Sequence, residues 1–248
     1  MANSFSFDGT DLSAYELIVT SSAANMLRQL ASFVQLKDRG YSSGIKRPPK
    51  SISLDINVTG SSRADLDSNL DNIKRIIATE TDSQLILDII SGRYYMARLT
   101  DFDGRYRTAF MFEGSIEFIC VDPVGYSTTL TESNHTIDAD PKTVTETTTG
   151  TGKINPVYVL TAGEALGEIT IKLENVTTNE ELQWTGTLTT NDELEIDVAN
   201  WIVKKNDTAS MSGVTGQFPR LQPGANSIKV TALASSGEMD IIYRNTFL

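Results

Sequence analysis

Apolar residues alternate with polar ones along most of this chain, a period of two that β-strands bury on one face. The segment SISLDINVTG, residues 51–60, shows the pattern without interruption. Only in residues 61–80 does the apolar spacing clearly match a helix. The chain is therefore predicted to be mainly β.

The first 126 residues are predicted to form a β-rich α+β domain with one helix. Asp8-Gly9 is a strong hairpin-turn dipeptide between alternating segments, and a second hairpin is predicted to turn at Ser91-Gly92. Residues 108–121 are predicted to form one further long strand.

The predicted helix has both a consistent apolar face and a start signal. Ser61 or Ser62 can cap it, and acidic residues in its first turn favour the positive end of the helix dipole. Its buried face is predicted to carry Leu66, Leu70, Ile73 and Ile77.

A Thr-rich segment, residues 127–152, separates two halves of different composition. Ten of its 26 residues are threonine, and large apolar residues are few. The net charge is −3 over residues 1–125 and −8 over residues 126–248. Because threonine favours extended backbone, we expect a linker or a linker strand here.

Residues 153–248 show no helical period. Short alternating segments recur there at roughly ten-residue intervals, separated by Gly, Asn and Asp, which is typical of a β-sandwich. The run from Gly216 to Asn226 is predicted to be a tight connection before one of the last strands.

The sequence offers little material for catalysis or metal binding. The only histidine, His135, falls in the Thr-rich segment, where we expect an exposed polar side chain, and the only cysteine is Cys120. A zinc site normally needs several His or Cys ligands, and a Ser-His-Asp triad needs an imidazole held in place by packed neighbours. We therefore expect no enzyme activity, no cofactor and no metal.

Carboxylates that alternate with apolar residues are interpreted as the solvent-facing side of a strand: Asp192, Glu193, Glu195 and Asp197.

The net charge of −11 argues against nucleic-acid binding by phosphate neutralisation. No apolar run approaches the ~20 residues of a membrane span, and the first residues lack the pattern of a secretory signal. We expect neither specific nucleic-acid binding nor a membrane location.

Two tryptophans on predicted strands of the second half leave two interpretations open. Trp184 and Trp201 can be core or interface residues, or their rings can stack against a sugar.

Residues 37–50, KDRGYSSGIKRPPK, are polar, basic and interrupted by glycine and proline. The segment, which we call the arm, is too long for an ordinary turn. It is either an exposed loop or an extension that contacts a neighbouring subunit. The candidate interface residues are Arg39, Gly44, Lys46, Arg47, Pro48, Pro49 and Lys50.

Several segments, in this order and spacing, resemble the distal tail proteins of siphophages over nearly the whole chain. The similarity begins with FSFDGTDLSAYELIV and continues through the basic arm, the helix between strands and GRYYMARL. It includes FEGSIEFICVDPVGY, and in the second half GTLTTNDELEID followed by GQFPRLQPGANSIKV. The second half resembles the galectin-like domain of that family.

The resemblance implies a structural role. Proteins of this family form a homohexameric ring at the far end of the tail tube, which continues the DNA channel. The ring joins the tube to the tail-tip protein and to receptor-binding or other baseplate proteins. It implies a virion protein of the tail tip, made in the bacterial cytoplasm, that serves virus assembly and host attachment.

The resemblance also gives a meaning to the end of the first half. Pro123 cannot donate to a strand ladder and biases Asp122 towards extended backbone. Asp122 and Pro123 are therefore predicted to end the last strand of the ring-forming domain. We expect Tyr126 to lay its ring back on that domain as the chain leaves it.

Two alternatives remain open from sequence. One is a carbohydrate- or receptor-binding module that acts through the second half, and the other is a glycan hydrolase that uses two acidic residues. The galectin sugar site includes a histidine, which residues 153–248 lack, so sugar binding by that route is not expected.

Overall fold

The computed structural model of the 248-residue chain describes two compact units, Met1–Tyr126 with Leu248 and Ser127–Phe247. We call them the first and the second unit. At 21–24, 33–36 and 39–42 the backbone alone is described. The described residues are 3–24, 33–36, 39–42, 48–90, 92–233 and 237–248.

The first unit is β-rich with one α-helix in its described part, as predicted. Leu12–Tyr15 is a short 3-10 helix, and α1 is Arg63–Ile77. The strands are β1 Phe5–Phe7, β2 Thr10–Asp11, β3 Leu17–Ala24, β4 Phe33–Leu36, β5 Arg39–Ser42, β6 Lys50–Thr59, β7 Ser83–Leu87, β8 Arg93–Thr108, β9 Met111–Cys120 and β10 Gly125–Ser127.

One antiparallel sheet organises this unit, with strand order β2-β1-β7-β8-β9-β6-β3. Asp8 and Gly9 form the predicted turn between β1 and β2, both with positive φ, and Phe7 pairs with Thr10. Strands β4 and β5 form a separate hairpin. The alternating apolar residues of β6, from Ile52 to Val58, are fully buried, which confirms their predicted inward orientation.

Helix α1 begins where the sequence predicts. Of the two candidate caps, Ser62 is the N-cap: its Oγ accepts a hydrogen bond from the Asp65 N–H at 3.1 Å. Ser61 instead donates its N–H to the Asp65 carboxylate at 2.8 Å. The four predicted face residues from Leu66 to Ile77 are buried in the core of the unit.

The β8–β9 hairpin is longer than the sequence indicates. The predicted hairpin of β7 and β8 is present, with Ile86 paired to Tyr94, although Ser91 of its turn lies outside the described residues. Strand β8 then continues to Thr108, and β9 begins at Met111, so the predicted start of that strand at residue 108 is wrong. The extension was missed because most of residues 101–108 are exposed and carry no apolar alternation.

The second unit is the predicted β-sandwich. Its strands are β11 Thr131–Ile137, β12 Lys142–Thr148, β13 Val157–Thr161, β14 Leu166–Asn175, β15 Glu180–Leu188, β16 Glu193–Asp197, β17 Ile202–Lys205, β18 Thr208–Ala209, β19 Val214–Gly216, β20 Gly224–Thr231, β21 Gly237–Tyr243 and β22 Thr246–Phe247.

Two sheets with different strand orders form the sandwich. One is β11-β21-β13-β16-β17-β18 and the other is β12-β20-β14-β15-β19, and β22 belongs to neither. Alternate residues of both sheets fill a common core, which includes Tyr158 and Trp184. Residues 217–223 connect β19 to β20. The connection predicted over Gly216–Asn226 is therefore shorter, because both ends of that run are strand residues.

The Thr-rich segment is not a linker. Residues Thr131 to Ile137 pair with β21, and Lys142 to Thr148 pair with β20, so the segment adds one strand to each sheet. Val144 and Ile137 belong to the sandwich core. Of the two predictions for residues 127–152, a linker or a strand, the strand pairing excludes a free linker. The sequence left both open because threonine alternation in edge strands buries few large side chains.

In the described part of the chain, no helix is long and apolar enough to span a membrane.

Candidate assembly and binding surfaces

The chain leaves the first unit through a small polar and aromatic cluster. Asp122 accepts hydrogen bonds from the Val124 N–H at 3.1 Å and from the Tyr126 hydroxyl at 2.5 Å. The Tyr126 ring stacks on Tyr94, with ring centroids 5.5 Å apart. Burial and the Asp122 carboxylate raise the pKa of Tyr126. Strand β9 ends at Cys120, two residues before Asp122, so the strand ends slightly earlier than the predicted Asp122-Pro123 position.

Only part of the arm is described. Arg39 lies in β5, where the backbone alone is described, and Gly44, Lys46 and Arg47 lie outside the described residues. Pro48 and Pro49 precede β6. Lys50 is the first residue of β6, and its Nζ lies 4.0 Å from the centroid of the Tyr95 ring. Lys50 therefore has a partner within its own chain.

The extension of the β8–β9 hairpin is a surface that sequence reasoning missed. Gly104 faces Gly114 in the register of the two strands. A Cβ at either glycine would overlap the Phe112 ring and the opposite backbone. The signal available in the sequence was this pair of glycines, which permits close approach of two strands.

An aromatic contact ties this extension to α1. The Tyr106 hydroxyl donates to Asp67 at 2.7 Å, and the Arg63 guanidinium lies 3.4 Å from the centroid of the Tyr106 ring. The hydrogen bonds from Tyr106 and Arg63 lower the pKa of Asp67. The adjacent Phe110 remains 54% exposed at the tip of the hairpin.

The two tryptophans have opposite environments. Trp184 is 2% exposed in the sandwich core, and its Nε1 donates to Ser210 Oγ at 3.0 Å. Stacking of a sugar on Trp184 is therefore contradicted by burial. Trp201 is 70% exposed, has a φ of 57°, and its ring centroid lies 5.8 Å from that of Phe218.

A buried carboxylate joins the two strands of the Thr-rich segment. Glu146 on β12 accepts hydrogen bonds from Ser133 Oγ at 3.0 Å and from the Tyr243 hydroxyl at 2.7 Å. Its other oxygen lies 3.3 Å from Nε2 of His135 on β11. The expectation of a solvent-exposed His135 is wrong, since its side chain is 22% exposed in this cluster.

Among the predicted solvent-facing carboxylates, Asp192 differs from the others. It is 8% exposed and accepts hydrogen bonds from the Thr189 N–H at 2.6 Å and the Asn206 amide at 2.7 Å. These bonds and the ammonium group of Lys205, 2.9 Å away, hold the pKa of Asp192 far below its usual range. Its role is to close the turn between β15 and β16.

A second polar cluster fixes the connection before β20. Asn175 and Asn226, both fully buried, are hydrogen-bonded to each other at 3.1 Å. Glu180 accepts from the Arg220 N–H at 2.8 Å and forms an ion pair with the same guanidinium. Burial opposes ionisation of Glu180, but the bonds from Arg220 outweigh it and lower the pKa.

The part of the chain that the structure describes contains no group of three His, Cys, Asp or Glu side chains placed to hold a metal ion. The clusters above are instead satisfied by hydrogen bonds within the fold. They can position strands and loops. The exposed large hydrophobic side chains include Phe110 on the β8–β9 extension and Trp201.

Comparison with known proteins connects this architecture to phage tails. Residues 149–247 match the family model described as siphovirus-type tail component, C-terminal domain. The crystal structure of the SPP1 Dit protein superposes with a TM-score of 0.80 at 17% identity, over 100% of both chains. A chain of the activated phage P2 baseplate with Ca covers 98% of both chains at 13% identity, with a TM-score of 0.45. A search of curated proteins found no match.

The resemblance that the sequence indicates is confirmed for the fold by the SPP1 Dit structure and, over residues 149–247, by the family model. The chain has the fold of the SPP1 Dit protein over its whole length, and its residues 149–247 match the C-terminal domain of siphovirus-type tail components.

Proposed function

We propose that this chain is a structural protein of a bacteriophage tail tip. It acts as a hub that joins the tail tube to the tail-tip and receptor-binding apparatus. The observation that carries the proposal is the whole-length similarity to SPP1 Dit, which is described as a paradigm of the hub adsorption apparatus in phages that infect Gram-positive bacteria. The family match in the second unit supports the same assignment.

The proposed hub is a homohexameric ring built by the first unit, which continues the DNA channel. A ring needs a head-to-tail interface between two different surfaces of each copy. The sheet of the first unit offers two. One is β3, which ends the strand order, and the other is β8, which pairs with β7 as far as Ala97 and with β9 on to Thr108. Strand β10 also pairs with β8, and its Gly125 and Tyr126 lie against Tyr95 and Tyr94 at the start of that strand, so we infer that the β8 edge left by β7 is open beyond Arg98.

Side chains already occupy part of the β8 edge. The N–H groups of Phe102 and Gly104 donate to the carboxylates of Asp101 and Asp103, at 2.9 Å and 2.8 Å. Such local bonds protect an exposed edge from indiscriminate pairing. A neighbouring copy that pairs with this edge must replace these two hydrogen bonds. The edge therefore favours a partner strand that supplies matching acceptors.

The arm is the second proposed element of the ring interface. Its basic residues Arg39, Lys46 and Arg47 are proposed to contact acidic groups of the neighbouring copy, and Pro48-Pro49 to stiffen its exit. Lys50 is left out of this set because its ammonium group already contacts the Tyr95 ring of its own chain.

The ring is tested by native mass spectrometry and negative-stain electron microscopy of the full-length protein. Six-copy rings are expected, either alone or with the tail-tip protein added. Replacing Arg39, Lys46 and Arg47 together by Glu is expected to reduce the ring population, while the same change at Lys153, Lys172 and Lys229 of the second unit leaves it unchanged. A protein that stays monomeric with its tail-tip partner present contradicts the ring.

The hub acts by assembly rather than by catalysis, in the tail of the virion, after synthesis in the host cytoplasm. The negative charge of the chain suits a channel along which DNA slides without adhering. A carboxylate-dependent activity against cell-wall glycans, abolished by one Asp or Glu substitution, would contradict this part of the proposal.

A further inference from the structure

Trp201 adopts a backbone conformation that a bulky residue rarely occupies. It lies in the turn between β16 and β17, and its φ of 57° places it in the left-handed region. Residues in this region carry a strain that glycine or asparagine would avoid. Such strain is characteristic of functional sites, and here it holds a large indole 70% exposed to solvent.

The turn that carries Trp201 is rigidly anchored. Asp197 accepts hydrogen bonds from the Asn200 N–H at 3.0 Å and from the Asn200 side-chain amide at 2.6 Å. Val198 is buried, and its N–H donates to the Pro156 carbonyl at 3.1 Å. The indole is therefore presented by a fixed support.

A second anchored loop supplies the neighbouring ring. Phe218 packs partly against the sandwich core, and its centroid lies 5.8 Å from that of Trp201 at an angle of 47°. The Gln217 N–H donates to the Glu181 carbonyl at 2.6 Å, and the Pro219 carbonyl accepts from the Tyr158 hydroxyl at 3.2 Å. Both rings thus belong to well-tethered backbone.

The two loops that carry these rings also carry polar residues. The ring-bearing loops also carry Asn200, Gln217 and Arg220, and Glu180 holds the guanidinium of Arg220 in place. Amide and guanidinium groups can donate to the hydroxyls of a ligand. An exposed flat indole with such groups beside it is suited to a ring with one apolar face and polar edges.

From this geometry we infer that Trp201 and Phe218 form a saccharide-binding platform on the second unit. A pyranose ring stacks its C–H face on the Trp201 indole, while its hydroxyls are bonded by the side chains of Asn200, Gln217 and Arg220. The platform does not depend on a histidine, unlike the galectin site. It adds ligand binding to the proposed hub role, and it holds whether or not the chain forms rings.

The inference is tested by titrating the full-length protein with short soluble oligomers of N-acetylglucosamine, of glucose and of galactose. Binding is followed by acrylamide quenching of tryptophan fluorescence and by calorimetry. Trp184 is 2% exposed, so the quenchable signal comes from Trp201, and a stacked sugar is expected to shield it. At least one oligomer is expected to bind with millimolar or better affinity.

Three variants make the outcome decisive. Trp201→Ala is expected to weaken binding by about tenfold or more, and Trp201→Tyr to retain part of it. Phe110→Ala, which removes an aromatic ring that is 54% exposed on the first unit, is expected to leave binding unchanged. Absence of binding for all three oligomers overturns the inference, as does binding that survives Trp201→Ala. If Trp201→Ala instead abolishes association with another tail protein and no oligomer binds, the ring belongs to a protein interface and the inference is wrong.

Discussion

Replacing Glu146 with Ala tests whether the Thr-rich segment is an integral part of the second unit. The side chain of Glu146 is 8% exposed and bonds Ser133, His135 and Tyr243. Removing it leaves the hydroxyl of Tyr243, a residue 4% exposed, with only a long contact to the Thr147 carbonyl at 3.5 Å. Leaving a buried donor without a good acceptor costs about 1–3 kcal/mol.

The other two partners add less to the loss. His135 is partly exposed and can recover a bond to water, so we assign it and Ser133 roughly 0.5 kcal/mol each. Relief from burying the Glu146 charge offsets part of the sum. The expected destabilisation of the second unit is about 2–3 kcal/mol, or roughly 10 °C in its melting temperature.

Tryptophan fluorescence measures this change selectively, because Trp184 and Trp201 both lie in the second unit and the first has none. Thr145→Ala, at an exposed position of the same strand, is the matched control and is expected to change stability by no more than about 0.5 kcal/mol. A Glu146→Ala effect as small as that of the control would refute the reasoning and return the segment to the status of a linker.

Three further predictions concern single groups. Ser62→Ala removes the cap of α1 and is expected to destabilise the first unit by about 1 kcal/mol, measured by calorimetry; an unchanged transition would show that the cap is dispensable. The pKa of Asp192 is lowered in the folded state from an ordinary value of 3.8, so its stabilisation is present above that pH and lost on acidification; Asp192→Asn should flatten the fall in second-unit stability between about pH 5 and pH 2, and parallel curves would contradict this. Burial raises the pKa of the Cys120 thiol to about 11, so a disulfide reagent at pH 8 is expected to modify it only after unfolding; fast modification of native protein would disprove its burial.

Elements with a strong local pattern were predictable from sequence. The face of α1 from Leu66 to Ile77 and the buried residues of β6 follow one period without interruption. The Asp8-Gly9 turn was predictable because few dipeptides accept two successive positive φ angles. In each case local propensity and tertiary burial agree.

Contacts between distant segments were not predictable. Glu146 and Tyr243 are 97 positions apart, and nothing near His135 in the sequence reveals that β12 supplies its partner. Residues 101–108 lack apolar alternation because most of them are exposed. Their strand structure comes from pairing with β9, which the sequence pattern of β8 does not reveal.

The two tryptophans illustrate the same limit. Trp184 lies on the same face of β15 as Leu182 and Leu188, which are both buried. This alternation along the strand is a local signal that indicates burial. Trp201 follows Asn200 in a turn, and its exposure depends on Asp197 and Pro156 holding that turn in place. Only the second could become a surface site.

The account's central claim is that this chain is a hub of the tail tip, and its position in the virion tests that claim most directly. Phage particles that carry the chain would be labelled with gold-conjugated antibodies raised against the second unit and viewed by electron microscopy. The account predicts label confined to the end of the tail distal to the capsid. Label along the whole tube, on the capsid, or absent from intact particles and from particles with opened tail tips would contradict it.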